Sequence, residues 1–392
     1  MRIFILLSRI PYPLEKGDKL RAFYQIKNLS EHNEIILCAL NSIPGPDKQK
    51  AFIALQPYCR SINFIDLFPM GKLINLTKAA LKGLPFQVGY FYQKKAAKKI
   101  NELIEIYNPD LIYAQLIRVA PYVMNFPGKK VLDYQDAFSH GIKKRISGSV
   151  FPMRKLLKIE YKRTLRYEKE IFQYFDLKTI ISEQDRKLIQ HPRKGEINII
   201  KNGVDLKYFI PENVEKKFDL VFTGNMAYPP NIDAALFLVK EIMPLVWKQK
   251  PDTKLLLAGA YPVKKIKNLA GKRIIVSGWM NDIRDGYLSS RIFIAPMRIG
   301  TGLQNKLLEA MALKIPAITT PLANAALGAT NGEEILIGSS AVEISEKILF
   351  LLNNKDKQKG LAEKGYKFVK ANYHWEGTTS KLNQLMGKLL KK

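Results

Sequence analysis

The chain has 392 residues, too many for one ordinary hydrophobic core, so two domains are expected. Apolar residues at 47% and charged residues at 25% exclude a disordered or low-complexity chain. Lys and Arg outnumber Asp and Glu by 63 to 35, a net charge of +28, which suits anionic lipid, nucleic acid or phosphorylated substrates, or else simply a solvated basic surface.

Met1–Ser8 is apolar for too few residues before Arg9 and Pro11 to form a signal-peptide core, and reads as a first buried strand. No uncharged apolar run reaches the ~18 residues of a spanning helix. The expected location is cytoplasmic, or peripheral at the inner face of the cytoplasmic membrane. The loop segment Ser8–Arg21 follows, running into a helix over Lys19–Ser30. Gly17 lets the backbone approach a ligand there, and Asp18 can cap the helix or touch a sugar hydroxyl. Further strands are expected at Glu34–Leu40, Ser61–Asp66, Leu111–Gln115, Lys129–Asp133 and Leu177–Ile181, with helices between. Cys38 reads as a core thiol, and Cys59 completes no metal or redox spacing with it. Residues 67–101 hold seven lysines and no acid, and Phe151–Phe172 is a long basic amphipathic helix; a basic amphipathic face can dock on anionic lipid. Asp133 and Asp136, at the end of one of these strands, are candidates to orient an acceptor hydroxyl or act as a base, with His140 a weaker one.

A second cycle begins near Phe218. Strands are expected at Asp219–Thr223, Lys254–Ala258, Arg273–Val276, Arg291–Ala295 and Ile315–Thr319, with helices at Asn231–Trp247, Ala341–Asn353 and Lys355–Ala371. The alternation predicts an α/β protein of two doubly wound parallel-sheet domains, residues 1–205 and 206–374, facing across a cleft, with a last helix from about 375 crossing back onto the first. The Asn202-Gly203 turn lies at the junction. Gly224, Asn225 and Asn231 follow the second cycle's first strand, and Trp279 can hold a nucleotide base. The most informative stretch is Ile292–Ala312. Gly300, Thr301, Gly302 and Leu303 lead into a helix start, an anion site by its free N–H groups and positive dipole end. Arg298 before it and Lys306 on it can supply charge for a diphosphate, and Glu309 can hold ribose hydroxyls.

The Gly300–Ala312 block, the Ile199–Phe209 block and Phe368–Glu376 resemble the retaining, nucleotide-sugar-dependent glycosyltransferases of family 4, which have the GT-B fold. The opening Arg9–Arg21 is similar to exopolysaccharide-associated sugar transferases. The resemblance implies transfer of a sugar from a nucleoside diphosphate sugar to an acceptor hydroxyl with retention. It implies a growing polysaccharide or lipid-linked glycan as acceptor, and neither a metal nor another cofactor. Glu309 matches the second of the family's two glutamates eight positions apart. The first falls at Thr301, and the family's diphosphate-clamping Arg and Lys are replaced by Asn225 and Asn231. Arg298 and Lys306 are the expected substitutes. The other readings are an epimerase or phosphorylase on the same fold, and a non-catalytic nucleotide or nucleic-acid binder. The last has only the charge in its favour, because basic residues are not interleaved with aromatics. No nucleic-acid partner is expected.

Overall fold

The computed structural model describes residues 1–14, 16–42, 47–300 and 302–391, with backbone alone at 70 and 72–74. The chain forms two compact units, Met1–Lys201 with Trp375–Lys392, and Asn202–His374.

The first unit is built on β1 (Arg2–Leu7), β2 (Glu34–Asn41), β3 (Ser61–Asp66), β4 (Leu111–Gln115), β5 (Lys129–Asp133), β6 (Leu177–Ile180) and β7 (Asn198–Ile199). Their order is β3-β2-β1-β4-β5-β6-β7, every pair parallel. The central strands are apolar without interruption because helices cover both faces. Ile3, Ile5 and Leu7 join Ile35, Leu37 and Tyr113 on one side. Phe4 and Leu6 join Ile36, Cys38 and Ile112 on the other. The final helix, Trp375–Leu390, completes the first of these layers. Leu382 and Met386 are fully buried there, and the Trp375 ring stacks on Tyr24 with centroids 5.2 Å apart.

The second unit holds β8 (Phe218–Thr223), β9 (Leu255–Ala258), β10 (Ile274–Gly278), β11 (Ser290–Ala295), β12 (Ala317–Thr319) and β13 (Leu336–Ile337). The order is β10-β9-β8-β11-β12-β13, again all parallel. Both sheets therefore wind outward in two directions from their first strand. The carboxyl ends of β1 and β4, and of β8 and β11, are the switch points where such sheets bind ligands.

Two local differences from the sequence reading have physical causes. The helix expected over Asn231–Trp247 is instead an α-helix over Pro229–Phe237, a π-turn over Leu238–Ile242 and a second α-helix over Met243–Gln249. Pro244 has no N–H to return to the preceding turn, and its ring crowds the carbonyl four residues back. Strand β13 has only two residues, too few to show any alternation in the sequence.

Candidate active site

The carboxyl edge of the second sheet is shaped by backbone crowding. Gly224 follows β8 directly and donates its N–H to the Ala258 carbonyl at 3.0 Å. Gly259, after β9, has φ of 136° and lies so close that a Cβ there would stand 2.0 Å from the Gly224 carbonyl oxygen. Gly302 has φ of 74°, but a Cβ on it would meet open space. The two glycines should respond differently to alanine. Gly259→Ala is expected to lower the stability of this unit by several kcal/mol, about 3 or more, through a backbone clash added to strain. Gly302→Ala should cost about 1 kcal/mol from the left-handed backbone alone. Urea unfolding of the two variants checks the contrast.

Above the glycines, side chains from four elements meet. The Lys306 ammonium donates to Asn231 Oδ1 at 2.7 Å and lies 4.4 Å from the centre of the Phe222 ring. Asn231 in turn donates to the Asn225 carbonyl at 2.9 Å. Glu309 accepts the Tyr287 hydroxyl at 2.7 Å, and that hydroxyl shares a 2.6 Å hydrogen bond with Thr223. Lys306 and Glu309 are three residues apart on the helix Asn305–Ala312, so they share a face. Burial pushes the Lys306 ammonium down to about 7, with the Glu309 carboxylate pulling the other way. Burial pushes Glu309 upward, opposed by Tyr287 and Lys306. Lys306 is also in the first turn of its helix, where the dipole repels a cation. Gln304 at the N-cap makes no side-chain cap. A half-buried cation beside uncapped N–H groups is an arrangement that an anion would stabilise.

Other residues singled out from the sequence have different surroundings. Arg298 does not join Lys306. It pairs with Asp233 at 2.9 Å and Glu241 at 3.2 Å and lies over the Phe237 ring at 4.2 Å. Two carboxylates already balance the charge that the sequence reading offered to a diphosphate. Asn225 spends its side-chain oxygen on the Ala227 N–H at 2.9 Å. Asn202 donates to Asn305 at 3.3 Å. Trp279 is 60% exposed, a surface ring and not a core one. Leu303 packs against the core of the unit, and Gly300 has φ of 131°. Thr301 lies outside the described residues. Sequence reasoning missed Tyr287 and Gly259. A glycine directly after a strand was the available signal for Gly259, whereas nothing local marks Tyr287.

In the first unit, Gly17 opens the helix Gly17–Leu29, and Asp18 pairs with Arg9 at 2.8 Å. Asp133 is fully buried. It takes Arg21 Nε at 2.7 Å and Nη2 at 3.1 Å, and the Thr179 hydroxyl at 2.8 Å. Both its oxygens are therefore engaged by Arg21 and Thr179. Asp136 differs. Its Oδ1 is buried with no hydrogen-bond partner. Its carboxyl is pushed up to about 7, first by burial and then by Asp185, with Arg118 opposing. Arg118, after β4, was not foreseen. It donates to Gln87 at 2.9 Å, lies over Phe138 at 4.9 Å and keeps Nη1 unpartnered. His140 is half-buried, with its imidazole pushed below the ordinary value by burial and by Lys144 and Lys143. Among the described residues, no three His, Cys, Asp or Glu side chains gather as metal ligands.

Residues 217–354 match the family model described as glycosyl transferases group 1. The whole chain is similar to the sucrose-phosphate synthase of Thermosynechococcus elongatus, at 16% identity, with all of both chains covered and a TM-score of 0.73. It is similar also to Anabaena HepE in complex with UDP and glucose, at 13% identity over 98% of this chain and 99% of that one, TM-score 0.72. The fold is GT-B. A Klebsiella pneumoniae protein, named only by its 44.6 kDa mass and its place in the cps region, is 23% identical over 95% of this chain and 96% of its own length. The group 1 match falls on the GT-B unit that carries Lys306, Glu309, Tyr287 and Gly259.

Proposed function

We propose that the protein transfers a sugar from a nucleoside diphosphate sugar to a hydroxyl of a glycan acceptor, with retention at the anomeric carbon. The observation that carries this reading is the half-buried Lys306 at an uncapped helix start, one turn from Glu309, inside the segment that matches the group 1 glycosyl transferases. Lys306 and the backbone N–H groups near Gly302 hold the diphosphate and stabilise its charge as the anomeric C–O bond breaks. Glu309, oriented by Tyr287, accepts the ribose hydroxyls. The acceptor oxygen forms the new bond on the face the diphosphate leaves, and gives up its proton to the Asp136 carboxylate. Asp136 in the first unit is assigned to the acceptor hydroxyl. No metal or other cofactor is assigned a role. Retention is carried over from the family 4 resemblance. HepE, solved with UDP and glucose, supports UDP-sugars as the first donors to try. The cps-region relative is in keeping with a growing polysaccharide or lipid-linked glycan as acceptor.

The test is a panel of nucleotides and nucleotide sugars screened by thermal shift, then turnover with a glycan acceptor followed by proton NMR of the product. One nucleoside diphosphate should raise the melting temperature, and an α-linked donor should give an α-linked product. A β-product overturns retention, and a panel with no stabilising nucleotide overturns the reading. The pH profile adds an independent arm. Asp136 must be ionised to accept a hydroxyl proton, so kcat/KM for the acceptor, read at saturating donor, should rise as pH passes through about 7, the value to which burial pushes this carboxyl. Asp136→Asn should flatten that acid limb and lower kcat/KM by about 100-fold. An unchanged profile removes Asp136 from the reaction.

A further inference from the structure

The helices Phe138–Ser147 and Met153–Glu170 form a hairpin in the first unit. Its tip is apolar and bare. Val150 is 79% and Phe151 80% exposed, and Met153, Leu156 and Ile159 continue the exposed apolar row along the second helix. Isolated exposed apolar residues are ordinary, but a contiguous row of large ones calls for a partner. The charge around the row is one-sided. Residues 138–159 contain six Lys and Arg and no Asp or Glu. Lys143, Lys144 and Arg145 stand on the first helix, and Arg154, Lys155 and Lys158 on the second, all exposed. The first acid along the chain is Glu160, which is buried and accepts the Phe86 N–H at 2.9 Å.

The same helix ties this surface to the lysine-rich stretch at 67–101. Arg163 donates to the Ala80 carbonyl at 2.9 Å, and Arg166 to the Gly83 carbonyl at 2.7 Å. Between them lie Leu81, 88% exposed, and exposed Lys82. Apolar side chains flanked by cations suit an interface that is greasy within and anionic at its rim, which is the chemistry of an anionic lipid bilayer. A protein partner with an acidic rim would need an apolar centre of matching shape. A bilayer needs only depth, and the most exposed apolar pair sits at the outermost turn. Among the described residues no helix is long and apolar enough to cross a membrane, so the contact would be peripheral.

We infer that the Gly148–Ile159 hairpin tip, with Leu81 beside it, docks the chain on anionic membranes by inserting Val150 and Phe151 among the lipids while the flanking Lys and Arg side chains meet the headgroups. This places a lipid-linked acceptor at the same surface. Vesicle binding and nucleotide binding are measured separately, so the failure of either proposal leaves the other standing.

The test uses the full chain and vesicles of phosphatidylcholine, with or without one quarter phosphatidylglycerol. Sedimentation with the anionic vesicles should exceed that with neutral ones at least 10-fold and fall steeply at 0.5 M salt (on the order of several Debye-screened contacts). The double variant Val150→Ser/Phe151→Ser should lose about 100-fold in vesicle affinity through the loss of two buried apolar side chains. Its melting temperature without ligand should be unchanged, which shows that it folds. A Phe151→Trp variant should be quenched by brominated lipid only in anionic vesicles. Equal binding to neutral vesicles, undiminished binding of the double variant, or absence of quenching would each overturn the inference. So would a dimer in solution that the double variant dissolves, since the row would then belong to a second copy of the chain.

Discussion

Replacing Lys306 by methionine is expected to lower nucleoside diphosphate affinity by about 100-fold and kcat/KM by about 10,000-fold, with little change in stability. Methionine keeps an unbranched apolar stem and removes the ammonium, with its contact to the Phe222 ring and its hydrogen bond to Asn231. A charge-assisted hydrogen bond to a diphosphate is worth about 1.5–3 kcal/mol in the ground state. Losing a preorganised donor to a leaving group adds a comparable factor in the transition state. Stability should not suffer, because the ammonium is disfavoured where it stands: burial holds it down to about 7, and it faces the positive end of its own helix. The same depression gives a pH signature. Near pH 8 most of the free protein carries neutral Lys306, and a bound diphosphate favours the ammonium. Binding should therefore take up a proton, and affinity should fall as pH rises through and beyond about 7. Calorimetry in two buffers of different ionisation enthalpy reads that proton directly, and Lys306→Met should abolish it. Arg298→Ala is the contrasting variant. Its guanidinium already answers Asp233 and Glu241 on an exposed face, so its effect on affinity should stay within about 5-fold. Equal losses from both variants, or full affinity without Lys306, would move the diphosphate elsewhere.

The contrast between these two cations shows where the sequence is legible and where it stops. Both stand beside the same glycine loop, and composition treats them alike. The partners of Arg298 lie 65 and 57 residues away, on a helix the sequence predicts but cannot orient. The strands were legible because their physics is local. Phe4, Leu6, Ile3 and Ile5 form a run that only a strand covered on both sides can bury, and Ser61–Asp66, Leu111–Gln115 and Lys129–Asp133 end at the residues expected. The link between Lys306 and Glu309 was legible for the same reason, since three positions on a helix fix a shared face. Tyr287 was not, because its contact with Glu309 spans 22 residues and a crossover between strands. The glycines fall between these cases. A glycine after a strand announces a close approach, but only the fold says that Gly259 approaches Gly224. Asp133 and Asp136 are three residues apart and looked equivalent. One ends β5 pointing into the core, and the other lies past the strand where the chain turns.

Asp133→Ala is expected to destabilise the first unit by about 3–5 kcal/mol, a large share of the ~5–15 kcal/mol that holds a domain together. The Arg21 guanidinium has no exposed surface. It donates to Asp133 and, at 2.9 Å, to the Ile200 carbonyl. Burial alone would push Arg21 below its ordinary value, and Asp133 together with Tyr113 more than reverses this. Without Asp133 the charge stays buried and uncompensated. Arg21→Met should cost a similar amount, because it strands the carboxylate and leaves one carbonyl without a donor. The double variant Arg21→Met/Asp133→Leu should recover most of the loss, since two apolar side chains remove both desolvation penalties together. Hydrogen exchange read by mass spectrometry localises the effect. Amides of β1 and β5 should lose protection in the single variants, while those of β8 and β11 in the second unit keep theirs. The measurement also decides between the two readings of this carboxylate. If Asp133→Ala cost less than about 1 kcal/mol while sugar transfer vanished, the residue would be a reacting group and its burial beside Arg21 a means of tuning it. If protection collapses in the single variants and returns in the double, the pair is a structural bolt between the helix Gly17–Leu29 and the end of β5, and Asp136 is left as the carboxylate that can meet an acceptor.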